Sequence, residues 1–139
     1  MTPLAADAWR KRRFVVVVAF EDDDRGRFAM VRHRHRGWEL PGGGIDGHET
    51  PEEAARREFL EETGRPLIDA RLILTQDRGF GTGWVFAGQA GPVQDHDERR
   101  PEEDIVEVRF VTRLHGVEPL AFPDDPYEEI GKALGRPLM

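Results

Sequence analysis

The chain has 139 residues, 38% of them hydrophobic, and carries a formal net charge of −7 with no cysteine. That length suits one domain around one core. The missing cysteines exclude disulfides and thiolate metal sites, and the acidic balance argues against a broad, sequence-independent grip on nucleic-acid phosphates.

In chain order, Phe14–Phe20 is a continuous β-branched run that predicts a strand buried on both faces. Basic residues Arg10–Arg13 precede it, and Glu21-Asp22-Asp23-Asp24 follows where a signal peptide would have a small-residue cleavage site. No apolar stretch approaches the roughly 18 residues that a membrane span needs. A cytoplasmic protein is the expectation. Asp22–Gly26 predicts a turn, and Arg27–Arg32 the second strand of a hairpin. His33–Gly37 is a basic connection and Trp38-Glu39-Leu40 a short extended piece before Pro41. The loop Gly42–Glu49 leads into a helix over about Pro51–Glu62. Leu67–Thr75 and Gly83–Gln89 predict two strands joined by the Gly-rich turn Arg78–Gly83. Gly91–Asp104 is polar and predicts a surface loop, Ile105–Val111 a half-exposed strand, and Pro126–Leu134 a terminal helix. Strands and helices interleave, so a mixed sheet between helical layers is expected.

The helix is specified by local signals. Thr50 and Glu53 form a T-x-x-E capping box. Pro51 takes the first helical position, where its missing N–H costs nothing. Gly64 stands where a left-handed C′ residue belongs. Glu58, Glu61 and Glu62 lie at i, i+3 and i+4, on one face of the last turns. The helix dipole already places about half a negative charge there. Three acids at that end are unfavourable alone, and a divalent cation would relieve them, since carboxylate oxygens are what Mg²⁺ prefers.

Residues 43–64 run in register with G-x5-E-x7-R-E-U-x-E-E-x-G-U, where U is bulky and apolar. Gly43, Glu49, Arg57, Glu58, Phe59, Glu61, Glu62 and Gly64 occupy the fixed positions. With Trp38-Glu39-Leu40-Pro41-Gly42 ahead of it, this stretch resembles the Nudix box, and the chain is similar to MutT-like Nudix hydrolases. One position departs: Arg65 stands where the pattern has an apolar side chain.

The resemblance implies an α/β fold of Nudix type, an α/β/α sandwich with a mixed sheet between helices. It implies one domain over residues 1–139, with the box at 43–64. It also implies metal-dependent hydrolysis of a phosphoanhydride bond in a nucleoside diphosphate derivative. Such a reaction needs phosphate charge neutralised, a water positioned and a proton removed. By resemblance, Mg²⁺ or Mn²⁺ is held by Glu58, Glu61 and Glu62, with the Gly42 carbonyl as a further ligand. Another carboxylate is expected shortly before Ile105–Val111. Asp104 fits best by spacing; Glu103 and Glu102 are the alternatives. Glu58, Glu61 and Arg57 are the expected catalytic group, Arg57 pairing with Glu49. Which carboxylate is the general base stays open.

Gly42-Gly43-Gly44 marks a tight backbone turn near ligand. Arg32 and Arg34, in the basic run just upstream, are with Gly43 the expected substrate contacts. The histidines are read as surface residues, because no His-x3-His spacing is present. Trp38 and Trp84 are read as core or pocket wall. Phe28, Phe80 and Trp84 are the candidates for stacking on a base.

Marks of other subfamilies are missing: no proline about sixteen residues past the box, no tyrosine but Tyr127, and no zinc-binding cysteine. The expected substrate is a nucleoside triphosphate, oxidised purines included, giving monophosphate and pyrophosphate. A nucleotide sugar or ADP-ribose is the alternative substrate. A non-catalytic nucleotide-binding regulatory module, or an acidic interaction domain, is the alternative class. The complete set of acids disfavours both. A small-molecule nucleotide is the expected partner, and a homodimer stays open.

Overall fold

The computed structural model describes residues 12–22, 24–94 and 104–139. Glu102 and Glu103, the alternatives to Asp104, lie outside the described residues, as do His96 and the start of the Arg10–Arg13 run.

Strand β1 (Arg12–Phe20) is sandwiched as its composition demands. Val15, Val17 and Ala19 enter a core with Ala54, Ala55 and Phe59. Val18 and Phe20 enter another with Tyr127, Ile130 and Leu134. Successive side chains point to opposite faces, so an uninterrupted apolar run supplies both cores. Helix α1 (Pro51–Thr63) covers the first face and α2 (Tyr127–Leu134) the second. The α/β/α sandwich follows.

The sheet contains β2 (Phe28–His33), β3 (Gly37–Glu39), β4 (Gly42–Gly44), β5 (Leu67–Asp77), β6 (Gly81–Ala90) and β7 (Ile105–Val111) besides β1. Its main path is β3-β2-β1-β6-β5, with β4 on β1 and β7 on β2. β1 runs parallel to β6 along its whole length, from Arg12↔Gly81 to Phe20↔Gln89, while β5 and β6 are antiparallel. The expected β1–β2 hairpin is splayed. The two strands pair only at Phe20↔Phe28. Beyond that point β4 takes the open edge of β1, and β3 pairs with β2. Gly42–Gly44 is thereby paired into the sheet, while the rest of the loop runs on toward α1 with Asp46, Gly47 and His48 exposed.

Both ends of α1 are closed as the local signals require. Thr50 accepts from the Glu53 N–H at 3.1 Å, and Glu53 accepts from the Thr50 N–H at 2.9 Å. Gly64 ends the helix at φ 75°, a region that favours glycine. Thr50→Ala is expected to cost about 1 kcal/mol, measured by urea unfolding with activity retained. Arg65 also finds a place: its guanidinium lies over Phe110 at 5.2 Å and donates to the Gly91 carbonyl at 3.3 Å. Its stem and flat charged head cover the aromatic ring in place of an apolar residue.

Candidate active site

The acids of α1 meet the glycine loop through backbone geometry. Ladder bonds from Ile45 N–H to the Arg13 carbonyl and from Val17 N–H to the Pro41 carbonyl fall on alternate residues. Gly42 and Gly44 therefore turn their peptide groups away from β1. The Gly42 N–H donates to Glu62 Oε1 at 2.8 Å. The Gly44 carbonyl accepts from Arg57 Nη2 at 3.1 Å. The Gly42 carbonyl shares the edge of its own N–H, on the side of Glu62. Glu62 is buried, 7% exposed, and a buried carboxylate needs such a donor.

Close approach of backbone requires glycine at position 42, and at position 43 only a side chain stands in the way. A Cβ on Gly42 would collide with the Val15 carbonyl oxygen, and one on Gly43 would stand 2.6 Å from the Glu58 carboxylate. Glu58 is packed directly on the loop backbone. Gly43→Ala meets only the far end of a flexible side chain, so the fold tolerates it while Glu58 is pushed aside. We expect an unchanged melting temperature and a loss of turnover of about 10-fold or more. Unchanged turnover would remove Glu58 from the site.

Arg57 ties the acids together. Its Nε and Nη2 donate to the two oxygens of Glu49 at 2.6 and 2.9 Å. Its Nη1 donates to Glu58 at 3.0 Å and to Glu61 at 3.3 Å. The Glu49 hydrogen bonds, aided by the charge of Glu58 and opposed by burial, raise Arg57 well above its ordinary value. The same bond to Arg57, against a desolvation cost, holds Glu49 below the usual carboxylate range.

This arrangement differs from three acids converging on one patch. Glu58 and Glu61 turn to one guanidinium nitrogen, whereas Glu62 turns to the loop. Among the described residues, no three acidic or histidine side chains surround one point closely enough to coordinate an ion as they stand. Opposite charge decides this, since Arg57 Nη1 is the positive charge that Glu58 and Glu61 share. Glu58 and Glu61 present hard carboxylate oxygens about that one positive centre, the donor chemistry that a divalent cation takes.

Asp104 sits at the start of β7. Its carbonyl accepts from the Arg34 N–H at 2.7 Å and its Oδ2 lies 3.7 Å from His33 Nε2. Arg32 turns to Glu107 on β7, at 3.3 Å. Neither Arg32 nor Arg34 is among the residues lining the cleft beside the loop.

That cleft, of about 430 Å³, has Gly42, Gly43 and Gly44 as one wall. Arginines 12, 13, 36 and 78 line it, with Phe14, Phe80 and Phe122 and the acids Glu39 and Asp125. Phe14 and Phe80 stack with centroids 5.8 Å apart. Arg78 pairs with Asp125 at 3.0 Å. Arg36 Nη2 and Nε reach the two oxygens of Glu39 at 2.8 and 3.3 Å. Of the stacking candidates, Phe80 lines the cleft, Phe28 is buried in the core, and Trp84 lies under Arg13 at 5.2 Å.

Of the cleft residues, Arg36 belongs to the basic run Arg32–Arg36 in which the sequence favoured Arg32 and Arg34 as phosphate contacts; Arg12, Arg13, Arg78 and Glu39 carried no such expectation. A local signal existed for one pair: an acid inside the apolar piece Trp38-Glu39-Leu40 with an arginine three residues before it. For Arg78 and Asp125, 47 residues apart, no local signal exists.

The NUDIX domain family matches residues 10–130. A Mycobacterium tuberculosis protein, provisionally named 8-oxo-dGTP diphosphatase 3, is 32% identical over 88 residues, covering 60% of this chain and 41% of that protein. The RNA pyrophosphohydrolase of Vibrio atlanticus is 43% identical over 48 residues, 34% of this chain and 28% of that protein. The chain thus spans less than half the length of these curated relatives. In fold, it is similar to a MutT structure from work on Aliivibrio salmonicida and Vibrio cholerae, with TM-score 0.67 and 19% identity, covering 90% of this chain and 98% of that one. A Bacillus subtilis pyrophosphohydrolase structure gives TM-score 0.68 at 19% identity, covering 91% and 82%. No helix among the described residues is long and apolar enough to cross a membrane. With its glycine loop and acidic helix interlocked and the family match running across residues 10–130, the chain belongs to the Nudix family.

Proposed function

We propose that the chain is a pyrophosphohydrolase of nucleoside diphosphate derivatives, with a nucleoside triphosphate, cleaved to monophosphate and pyrophosphate, as leading substrate. One observation carries this reading. The loop Gly42–Gly44 is at once the wall of an aromatic, arginine-lined cleft and the backbone on which Glu58 and Glu62 rest. A ligand with its base in the cleft delivers its phosphates to the acids. The provisional 8-oxo-dGTP diphosphatase name of the mycobacterial relative supports including oxidised purines.

Glu58, Glu61 and Glu62 would hold Mg²⁺ or Mn²⁺, with the Gly42 carbonyl and Asp104 as further donors. When bound, the ion neutralises phosphate charge and acidifies the attacking water. Arg57 orients Glu58 and Glu61 from behind. Glu61, with 36% of its side chain exposed against 13% for Glu58, is the acid open to accept the water's proton at a carboxylate oxygen. Gly43 leaves room for Glu58 beside the incoming phosphates. We take residues 1–139 as one functional domain, in keeping with the family match over 10–130. A cysteine-free chain acting on free nucleotides suits the cytoplasm.

A second reading, removal of pyrophosphate from 5′-triphosphorylated RNA, is favoured by the RNA pyrophosphohydrolases among the relatives. The four cleft arginines would serve either substrate. The test is a panel of nucleoside triphosphates, 8-oxo-dGTP, nucleotide sugars, ADP-ribose, dinucleoside polyphosphates and a 5′-triphosphorylated oligoribonucleotide, each with Mg²⁺ or Mn²⁺ and with EDTA. We expect metal-dependent release of pyrophosphate and complete loss with EDTA. No turnover of any member would leave a binding module.

A further inference from the structure

We propose that Arg36 grips the substrate phosphate nearest the nucleoside and so makes the cleft prefer phosphorylated ligands to bare nucleosides. The inference rests on reading this cleft as the nucleotide site of a pyrophosphohydrolase.

Arg36 stands where the cleft meets the acids. It lines the cleft with Gly42, and Gly42 is the residue that bonds Glu62. Its guanidinium lies over the Phe122 ring at 5.7 Å, so one aromatic wall of the cleft leads directly to a cation. Its charge is favoured first by the hydrogen bond to Glu39 and, through space, by Glu39, Glu62 and Asp104, with burial opposing. A ligand with its base against Phe122 and its phosphates beside Gly42 lies in the cleft that Arg36 lines.

Among the other cleft arginines, Arg78 is less open to a ligand than Arg36, with 22% of its side chain exposed against 48%. Arg78 pairs with Asp125 at 3.0 Å and lies over Phe80, Arg13 lies over Trp84, and Arg12 stands at the very start of β1. Arg36 is held along one edge by Glu39 and rests over Phe122. Nε and Nη2 engage Glu39, and three of the five N–H donors of a guanidinium remain for another acceptor. Glu39 is 6% exposed and sits in β3, so the fork is anchored in the sheet while nearly half of the Arg36 side chain, 48%, faces solvent. A planar fork fixed in that way matches two oxygens of a phosphate.

The competing account is that Arg36 only neutralises buried Glu39. Affinity for monophosphates against nucleosides separates the two. The full chain would be titrated by NMR in EDTA with GMP and guanosine, and with CMP and cytidine. For Arg36→Ala we expect affinity for both monophosphates to fall about 10- to 100-fold, with nucleoside affinity unchanged. The double variant R36A/E39Q removes the orphaned acid and is expected to show the same selective loss, which guards against misfolding as the cause. R36K should lose less than R36A, because it keeps charge without the fork. In kinetics, R36A should raise KM far more than it lowers kcat. Equal losses for nucleosides and monophosphates, no loss, or a wild-type protein that binds monophosphates no tighter than nucleosides would each overturn the proposal. The hydrolase reading fails separately, by absence of turnover across the panel in the wild-type protein.

Discussion

Glu62→Gln is expected to lower turnover at least about 100-fold, the scale for removing an electrostatic or acid–base group from an active site, while leaving the fold in place. The substitution is selective because of what Glu62 touches. Its Oε1 accepts the Gly42 N–H at 2.8 Å, and the carboxamide oxygen of glutamine can accept the same bond. The bond to the loop is kept, while the negative charge and one acceptor oxygen are withdrawn. A group of acids that holds a divalent cation needs that charge; a group that merely packs the loop does not. Steady-state kinetics at saturating Mg²⁺, with thermal unfolding as control, separate these. Turnover within a few-fold of wild type at an unchanged melting temperature would remove Glu62 from the metal-binding set.

Arg57→Ala should damage both stability and turnover. The guanidinium makes two bonds to Glu49, one each to Glu58 and Glu61, and one to the Gly44 carbonyl. Removing it leaves acids facing one another at a helix end where the dipole is already negative and the last turn has no basic residue. Hydrogen bonds to charged groups contribute about 1.5–3 kcal/mol each. Solvent screening reduces that at a side chain 28% exposed, so we expect a loss of about 2 kcal/mol in all. Turnover should fall on the order of 100-fold, because Glu58 and Glu61 lose their positioning. Lysine at this position restores the charge but not the fork, and is expected to recover only part of each.

The pH dependence follows from the directions of the shifts. Glu49 lies below its ordinary value of 4.5 in the folded chain, chiefly through its hydrogen bond to Arg57. Its contribution is therefore fully present above that value and is lost as pH falls through the lower, folded one. Arg57 is raised and stays charged throughout. Urea unfolding from neutral pH down into the acid range should thus show wild type converging on Arg57→Ala below about pH 4.5. A constant gap across that window would mean that Arg57 stabilises through packing and its bond to the Gly44 carbonyl, not through Glu49.

How far the sequence could be read varied with the range of the forces involved. Helix α1 was legible almost to the residue, from Pro51 to Thr63 against the expected Pro51–Glu62, because capping box, N1 proline and C′ glycine act within a few residues. β1 was legible because a strand with a core on each side must be apolar throughout. β3 and β4 were not. Each is three residues long, and each exists only because β1 and β2 splay apart and leave unpaired edges for them to fill. The parallel pairing of β1 with β6 likewise joins segments far apart in the chain, and no local pattern encodes such a partner. The basic run shows the limit most sharply. Arg32, Arg34 and Arg36 are chemically alike in sequence. Pairing of β2 with β7 gives Arg32 to Glu107, while the turn into β3 carries Arg36 to Glu39 and the cleft.

By itself, then, the chain's sequence determined the acidic helix, its caps, the glycine loop before it and the apolar strand that both cores share. Each depends on residues close in the chain or on burial that any partner could supply. Only the tertiary structure decided that Glu62 bonds Gly42, that Arg57 divides the acids, and that Arg36 and Arg78, not Arg32 and Arg34, line the cleft. Those outcomes depend on which strand edges meet and in what register, and a one-residue change in pairing would turn every side chain of a strand to its other face.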